Sequence, residues 1–236
     1  MTCVACGLLA SGWSFAQEAQ VPPGRETYLG RVIAQTMSFH GAGWLIRPER
    51  EDEEGTLSEI VGQLGIQSGW QICDMGCGNG YYTLPLAEAT GEQGRVVAVD
   101  IQPEMLRMLR TRVNRGQVKN IEPILGLPHD PKLPPEAFDL LLMVDVYHEF
   151  SHPEEMLRAI RASLKPSGLV ALLEYREEDP EVPILPLHKM SKQQIVKEYS
   201  ANGLRVVREY DGLPWQHLMF LGIDPDWTPS PTEPKN

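Results

Sequence analysis

From residue 57 onward, two hydrophobic periods alternate along the chain. Leu57, Ile60, Val61 and Leu64 lie at helical spacing and stop at Gly65, which predicts an amphipathic helix closed by a glycine. Residues 70–74 form a compact, mostly apolar run, and residues 81–89 return to a helical pattern. A β-rich run follows at 95–99, then a helix opened by Pro103 with Met105, Leu106, Leu109 and Val113 facing inward. Proline suits a first helical turn because its missing N–H has no intrahelical partner there. Short strands are predicted at 121–125 and 138–144. Pro153 opens another helix, striped by Leu157, Ile160 and Leu164, and residues 169–173 are apolar without a break, as in a strand covered on both faces. Ser191 is placed to cap a helix carrying Ile195, Val196 and Tyr199. Runs at 206–210 and 217–221, joined by Asp211-Gly212-Leu213-Pro214, predict a closing antiparallel pair.

Strands alternating with helices predict an α/β fold with a doubly wound, mostly parallel sheet and right-handed crossovers. Ahead of it, Leu29, Val32, Ile33 and Met37 fit one face of a helix starting at Tyr28, and a turn-rich stretch runs from Ser38 to Arg50. The chain divides into an N-terminal segment at 1–24, a helical lid at 25–53, the main domain at 54–223 and a Pro-rich, unstructured tail at 224–236. There are no internal repeats.

Composition narrows the partners. A chain of 236 residues suffices for one large α/β domain with a short extension. The formal net charge of -11 and the lack of a basic tract argue against nucleic acid, which needs phosphate neutralisation. Cys73 and Cys77 read as small buried residues, and Cys3 and Cys6 have no second ligand pair nearby. Residues 4–15 are uncharged and mostly apolar, and Ser14-Phe15-Ala16 resembles a cleavage site. That segment looks like the end of a secretory signal peptide without its basic n-region, or else a disordered tail. It is too short to span a membrane, and no other segment qualifies. Localisation stays open between cytoplasm and export, as does the oligomeric state.

Residues 72–80 read Ile72-Cys73-Asp74-Met75-Gly76-Cys77-Gly78-Asn79-Gly80, and the next strand ends on Asp100. A strand that delivers an acid into a Gly-x-Gly-x-Gly turn sets bare backbone against a ligand. An acid about twenty residues later, at the end of the next strand, accepts ribose hydroxyls in doubly wound folds. A dinucleotide fingerprint has its third glycine one position later, and Asp74 so near the turn would repel a pyrophosphate. The same acid suits a ligand with an ammonium or sulfonium charge. The segment resembles the glycine-rich motif of the class I, seven-stranded S-adenosylmethionine-dependent methyltransferases, and the resemblance covers about residues 54–223.

The resemblance implies S-adenosylmethionine as cofactor, a seven-stranded sheet whose last strand is reversed, and a lid over the site. Asp74, Gly76, Gly78 and Gly80 would hold the methionine half, Asp100 the ribose, Ile101 the adenine face and Asp130 the adenine amino group. For Asp130 the competing role is a turn cap before Pro131. Asp145, at the end of the fourth strand, would touch the cofactor, and His148 just beyond it is the candidate general base. A structural imidazole is the alternative. The Asp/Asn-Pro-Pro-Tyr/Phe motif of many amino-methyltransferases is missing at 145–148, which favours an oxygen or carbon acceptor on a small molecule over nitrogen. Arg47 and Arg50 are candidates for a carboxylate of cofactor or substrate, or for ion pairs with Glu49, Glu51 and Glu53. The six histidines show no paired ligand spacing, so no metal site is expected. Two rivals stand beside the methyltransferase: an NAD-dependent oxidoreductase and a catalytically silent S-adenosylmethionine-binding module.

Overall fold

The structure, a computed structural model, describes residues 21–229; the signal-like segment, with Cys3 and Cys6, lies outside them. The described chain opens with a two-residue hairpin, β1 (Thr27–Tyr28) against β2 (Arg31–Val32). The helix expected from Tyr28 does not form. Leu29 and Gly30 both take positive φ, 44° and 94°, and turn the chain back on itself. Leu29 and Val32 are exposed, so their helical spacing marks no buried face. The element is held instead by Arg31, whose guanidinium is buried against Glu198. Two 3-10 turns, Phe39–Gly41 and Trp44–Ile46, and the short helix α1 (Arg50–Glu54) complete this segment. The cover over the site is therefore mostly irregular chain.

The main domain then follows the predicted alternation. Thr56 Oγ1 accepts from the Glu59 N–H to cap α2 (Leu57–Leu64), which ends at Gly65 in the left-handed region. After it come β3 (Gln71–Met75), α3 (Thr83–Thr90), β4 (Arg95–Asp100), α4 (Pro103–Gly116), β5 (Ile121–Leu125), β6 (Phe138–Val144) and α5 (Pro153–Ser163). The remaining elements are β7 (Leu164–Arg176), the two-residue β8 (Lys189–Met190), α6 (Lys192–Ala201), β9 (Leu204–Tyr210) and β10 (Gln216–Ile223). The strand predicted at 169–173 is longer than expected because residues 164–168 pair beside β6 through a register shift. Gly168 allows that approach: a Cβ there would lie 2.5 Å from the Phe138 carbonyl oxygen.

Seven strands run in the order β5-β4-β3-β6-β7-β10-β9, and β8 pairs with the end of β7. The first five are parallel, and β10 is antiparallel to both β7 and β9. Side-chain alternation gives each face its own core. Ile72, Val96, Leu140, Ala171 and Phe220 pack with α2 and α3, while Cys73, Val97, Leu141, Leu172 and Leu221 pack with α5 and α6. Each fully buried leucine contributes about 1.5–3 kcal/mol of burial free energy. The chain moves outward from β3 to β5, then crosses to β6 on the other side of β3. That switch leaves a crevice at the carboxyl ends of the strands, where open α/β sheets bind ligands. Part of the expected unstructured tail is ordered: the Asp224 N–H donates to Gly203 O, and the Trp227 ring stacks under Arg161 at 4.0 Å.

Candidate functional site

The crevice holds a cavity of about 460 Å³, within the range of small-molecule sites. Its floor follows the strand ends from β4 through β3 and β6 to β7. At β3 the chain leaves Met75 and turns at Gly76 (φ 71°), whose N–H, like that of Cys77, donates to Val99 O. A Cβ on Gly76 would sit 2.4 Å from Val146 Cγ2, so only glycine lets the turn pass beneath the residues after β6. Asp100 closes β4. Its Oδ2 accepts the Gly78 N–H at 2.9 Å and its Oδ1 the Gln102 N–H at 2.8 Å. Gly76, Gly78, Asp100 and Ile101 all line the cavity.

Asp74, Gly80 and Asp130 are placed differently from expectation. None of them lines the cavity. The buried Asp74 carboxylate accepts the Thr83 hydroxyl at 2.5 Å and acts on the turn from behind. Burial is the main reason its pKa rises to about 6. Gly80 packs on Leu109, where a Cβ would come within 2.4 Å. Asp130 is exposed and accepts the Lys132 N–H at 2.8 Å; it caps a turn, which is the shape its place before Pro131 favours.

Asp145 and His148, in contrast, meet at the cavity wall. Asp145 adopts φ 51°, a conformation that a non-glycine residue holds only when its surroundings fix it. Here Gln216 Nε2 donates to both carboxylate oxygens, at 2.9 and 2.7 Å. Burial, then the charges of Glu54 and Glu174, push the Asp145 pKa well above the usual carboxylate range. His148 is 1% exposed. Its Nδ1 lies 2.7 Å from Glu174 Oε2 and its Nε2 lies 3.0 Å from His188 Nδ1. Burial pulls the imidazole pKa down, but the Glu174 carboxylate, helped by Glu149 and Asp145, outweighs it and the net shift is upward. His188 moves down, through burial and the neighbouring His148.

A carboxylate completes the group. Glu149 Oε1 lies 3.8 Å from His148 Nε2 and 3.9 Å from His188 Nδ1, and burial raises its pKa to about 7. These residues correct the expectation of no metal-ligand grouping: His148 and His188 stand forty positions apart, and only the crossover after β7 brings them together. Glu174 and Glu149 were missed altogether. The readable signal for Glu174 was a lone acid directly after the apolar run of residues 169–173.

The N-terminal segment roofs the cavity with Met37, Trp44 and Leu45. Gln102 fastens it, its Oε1 accepting the Phe39 N–H and its Nε2 donating to Met37 O. Farther back, Arg31 donates to both Glu198 oxygens and to His148 O. Arg50 lines the cavity, with its Nε on Glu54 at 2.7 Å and its guanidinium 4.2 Å from the Tyr81 ring centroid. Arg47 pairs with Glu53 and Glu54 and does not reach the cavity. Among the described residues no helix is long and apolar enough to cross a membrane.

Comparison with known proteins accords with this layout. A family profile described as "Methyltransferase domain" matches residues 72–168. The chain is 30% identical over 171 residues to a demethylmenaquinone methyltransferase of Shouchella clausii, covering 70% of each chain. It is 26% identical over 125 residues to the ubiquinone/menaquinone biosynthesis C-methyltransferase UbiE of Pseudoalteromonas translucida, spanning 52% of this chain and 50% of that one. It thus spans about half the length of the UbiE relatives. Among solved structures, a SAM-dependent methyltransferase from Aquifex aeolicus superposes with a TM-score of 0.74 at 24% identity, covering 80% of this chain and all of that one.

Proposed function

The chain belongs to the class I S-adenosylmethionine-dependent methyltransferases, and from that footing we propose that it methylates a carbon or oxygen of a small, apolar, hydroxyl-bearing molecule. The observation that carries the choice of acceptor is His148, buried, oriented by Glu174 and facing the cavity. Such a group serves an acceptor that must lose a proton to become nucleophilic. Met37, Leu127, Phe150, Ile184 and Leu185 around it give the cavity an apolar lining. The C-methyltransferase named among the relatives supports carbon as acceptor.

The residues fit the cofactor. A carboxylate offers about four acceptor positions; the Gly78 and Gln102 amides take two at Asp100 and the Ile101 amide also bears on it, leaving room for a ribose hydroxyl. Ile101 is positioned for the adenine face, and the bare backbone at Gly76 and Gly78 for the methionine half. Asp145, clamped by Gln216, would lie on the methyl side of the cofactor. S-adenosylmethionine supplies an electrophilic methyl and its own leaving group, so the protein's part is to align the acceptor, exclude water and prepare the nucleophile. The roof does the second, His148 the third.

Calorimetry tests the cofactor assignment. S-adenosylmethionine and S-adenosylhomocysteine should bind and NAD should give no heat; NAD binding without a response to S-adenosylhomocysteine would sink it. A screen of phenolic and enolic acceptors with methyl-labelled cofactor tests the reaction. The ribose role is tested by Asp100→Ala, which removes charge-assisted hydrogen bonds of about 1.5–3 kcal/mol each before water compensates. Cofactor affinity should fall at least about tenfold in a folded variant. Unchanged affinity would refute the role.

A further inference from the structure

We propose that His148, Glu149 and His188 form a binding site for a first-row divalent transition ion such as Zn²⁺, open to the cavity. His148 and Glu149 sit together on the turn after β6, and His188 comes from the 3-10 turn before β8. Their three donor atoms are separated by 3.0, 3.8 and 3.9 Å. An ion at the centre of such a triangle lies about 2.1 Å from each corner, the length of a zinc–imidazole or zinc–carboxylate bond. No rearrangement of the backbone is needed.

Three further observations support the site. First, Glu174 Oε2 holds His148 Nδ1 at 2.7 Å, which favours the tautomer with its proton on Nδ1 and its lone pair on Nε2, directed at His188. An ion would take the place of the Nε2–His188 contact, and metal-bound histidines are oriented in this way. Second, the neighbourhood is rich in buried acids and poor in available cations. Asp145, Glu149 and Glu174 cluster here, while the guanidinium groups that reach the region, Arg50 and Arg31, are committed to Glu54 and Glu198. A divalent ion balances that charge. Third, all three donor residues line the cavity, so the ion would keep coordination positions for a molecule bound there. Two imidazoles with one carboxylate select zinc, iron, cobalt or manganese over magnesium and calcium, which prefer all-oxygen sites.

The role of the ion rests on the methyltransferase reading, although its binding does not. An acceptor held there through its hydroxyl oxygen would lose the O–H proton to water, and the electron pair left on oxygen, or delocalised through the double bond onto the carbon beyond the one that bears it, would form the new bond to the methyl carbon. The old carbon–sulfur bond breaks with its electrons on sulfur, and an attacked carbon then sheds its own proton to water. With the ion bound, His148 prepares the nucleophile as a ligand; in the ion-free site it takes the proton directly, so its loss lowers turnover in either case.

The test is equilibrium dialysis of the chelator-stripped, tag-free protein against Zn²⁺, with Co²⁺ absorption as a spectroscopic check. One equivalent per chain is expected, with His188→Ala and Glu149→Gln each weakening it at least about a hundredfold and Glu174→Gln about 10–100-fold. The paired variant Cys3→Ser/Cys6→Ser should retain the equivalent. Calorimetric titration with S-adenosylhomocysteine confirms that each variant is folded. Absence of a stoichiometric ion overturns the proposal, as does binding that survives His188→Ala or vanishes with the two cysteines. A bound ion in a protein with no response to S-adenosylhomocysteine would leave the metal site standing and refute the methyltransferase reading; cofactor binding without the ion would do the reverse.

Discussion

Replacing His148 by alanine should lower methyl transfer by about 10²–10⁴-fold while S-adenosylmethionine affinity stays nearly unchanged. The imidazole is the group on the cavity wall whose geometry is fixed from two sides, by Glu174 at Nδ1 and His188 at Nε2. Its loss leaves the acceptor protonated or unbound, and the barrier rises accordingly. Some stability goes too, because the Glu174 carboxylate, 0% exposed, keeps only the longer contact from the His148 backbone N–H at 3.3 Å. That cost is about 1–3 kcal/mol and does not touch the Asp100 side of the cavity. Single-turnover measurements at saturating cofactor separate the effects. Loss of thermal stability and cofactor affinity together, with turnover intact, would reduce His148 to a packing residue.

Glu198→Ala should destabilise the protein by about 3–5 kcal/mol, measured by urea unfolding. Glu198 is fully buried on α6 and accepts from Arg31 at 2.7 and 2.9 Å, Tyr147 Oη at 2.6 Å and Gln194 Nε2 at 2.8 Å. Its removal strands a phenol hydroxyl and leaves the buried Arg31 guanidinium with only the His148 carbonyl and a longer-range attraction to Glu174. The net worth of the intact pair is smaller, since both ions were desolvated to make it. Arg31→Met combined with Glu198→Met should therefore cost less than the sum of the single changes. Equal costs would show that the pair is not coupled. The Glu198→Ala variant should also lose activity beyond its loss of folded protein, because Arg31 holds the His148 carbonyl.

The main domain was legible wherever its determinants are local. Ile121–Leu125 and Phe138–Val144 emerged with the boundaries observed, and the helix stop at Gly65 and the cap at Ser191 could be read from neighbouring residues alone. The glycine turn and Asp100 were legible for a similar reason: spacing within one β-α-β unit fixes their geometry. Most of what differs depends on distant partners; Asp130 is the local exception. The hairpin at residues 27–32 is held by an ion pair spanning 167 positions, and no periodicity of Leu29, Val32 and Ile33 can register that. Asp130 was assigned to the ligand by analogy of position, while the short-range pull of the Lys132 amide decided its direction. Glu174 reaches His148 only through sheet order, and His188 reaches it only through the crossover after β7, so neither pairing could be read from residue spacing.

The order of strands also governs when the enzyme is finished during synthesis. β10 lies between β7 and β9, so β9, although made earlier, has no place to dock until residues 216–223 have left the ribosome. Until then β7 presents an open, apolar edge, a surface prone to pairing with other chains. The same late strand carries Gln216, the clamp on Asp145. A nascent chain can thus complete the cofactor-side turn and Asp100 well before the wall around Asp145 acquires its shape, and a chain stalled or clipped ahead of residue 216 should be both aggregation-prone and inactive.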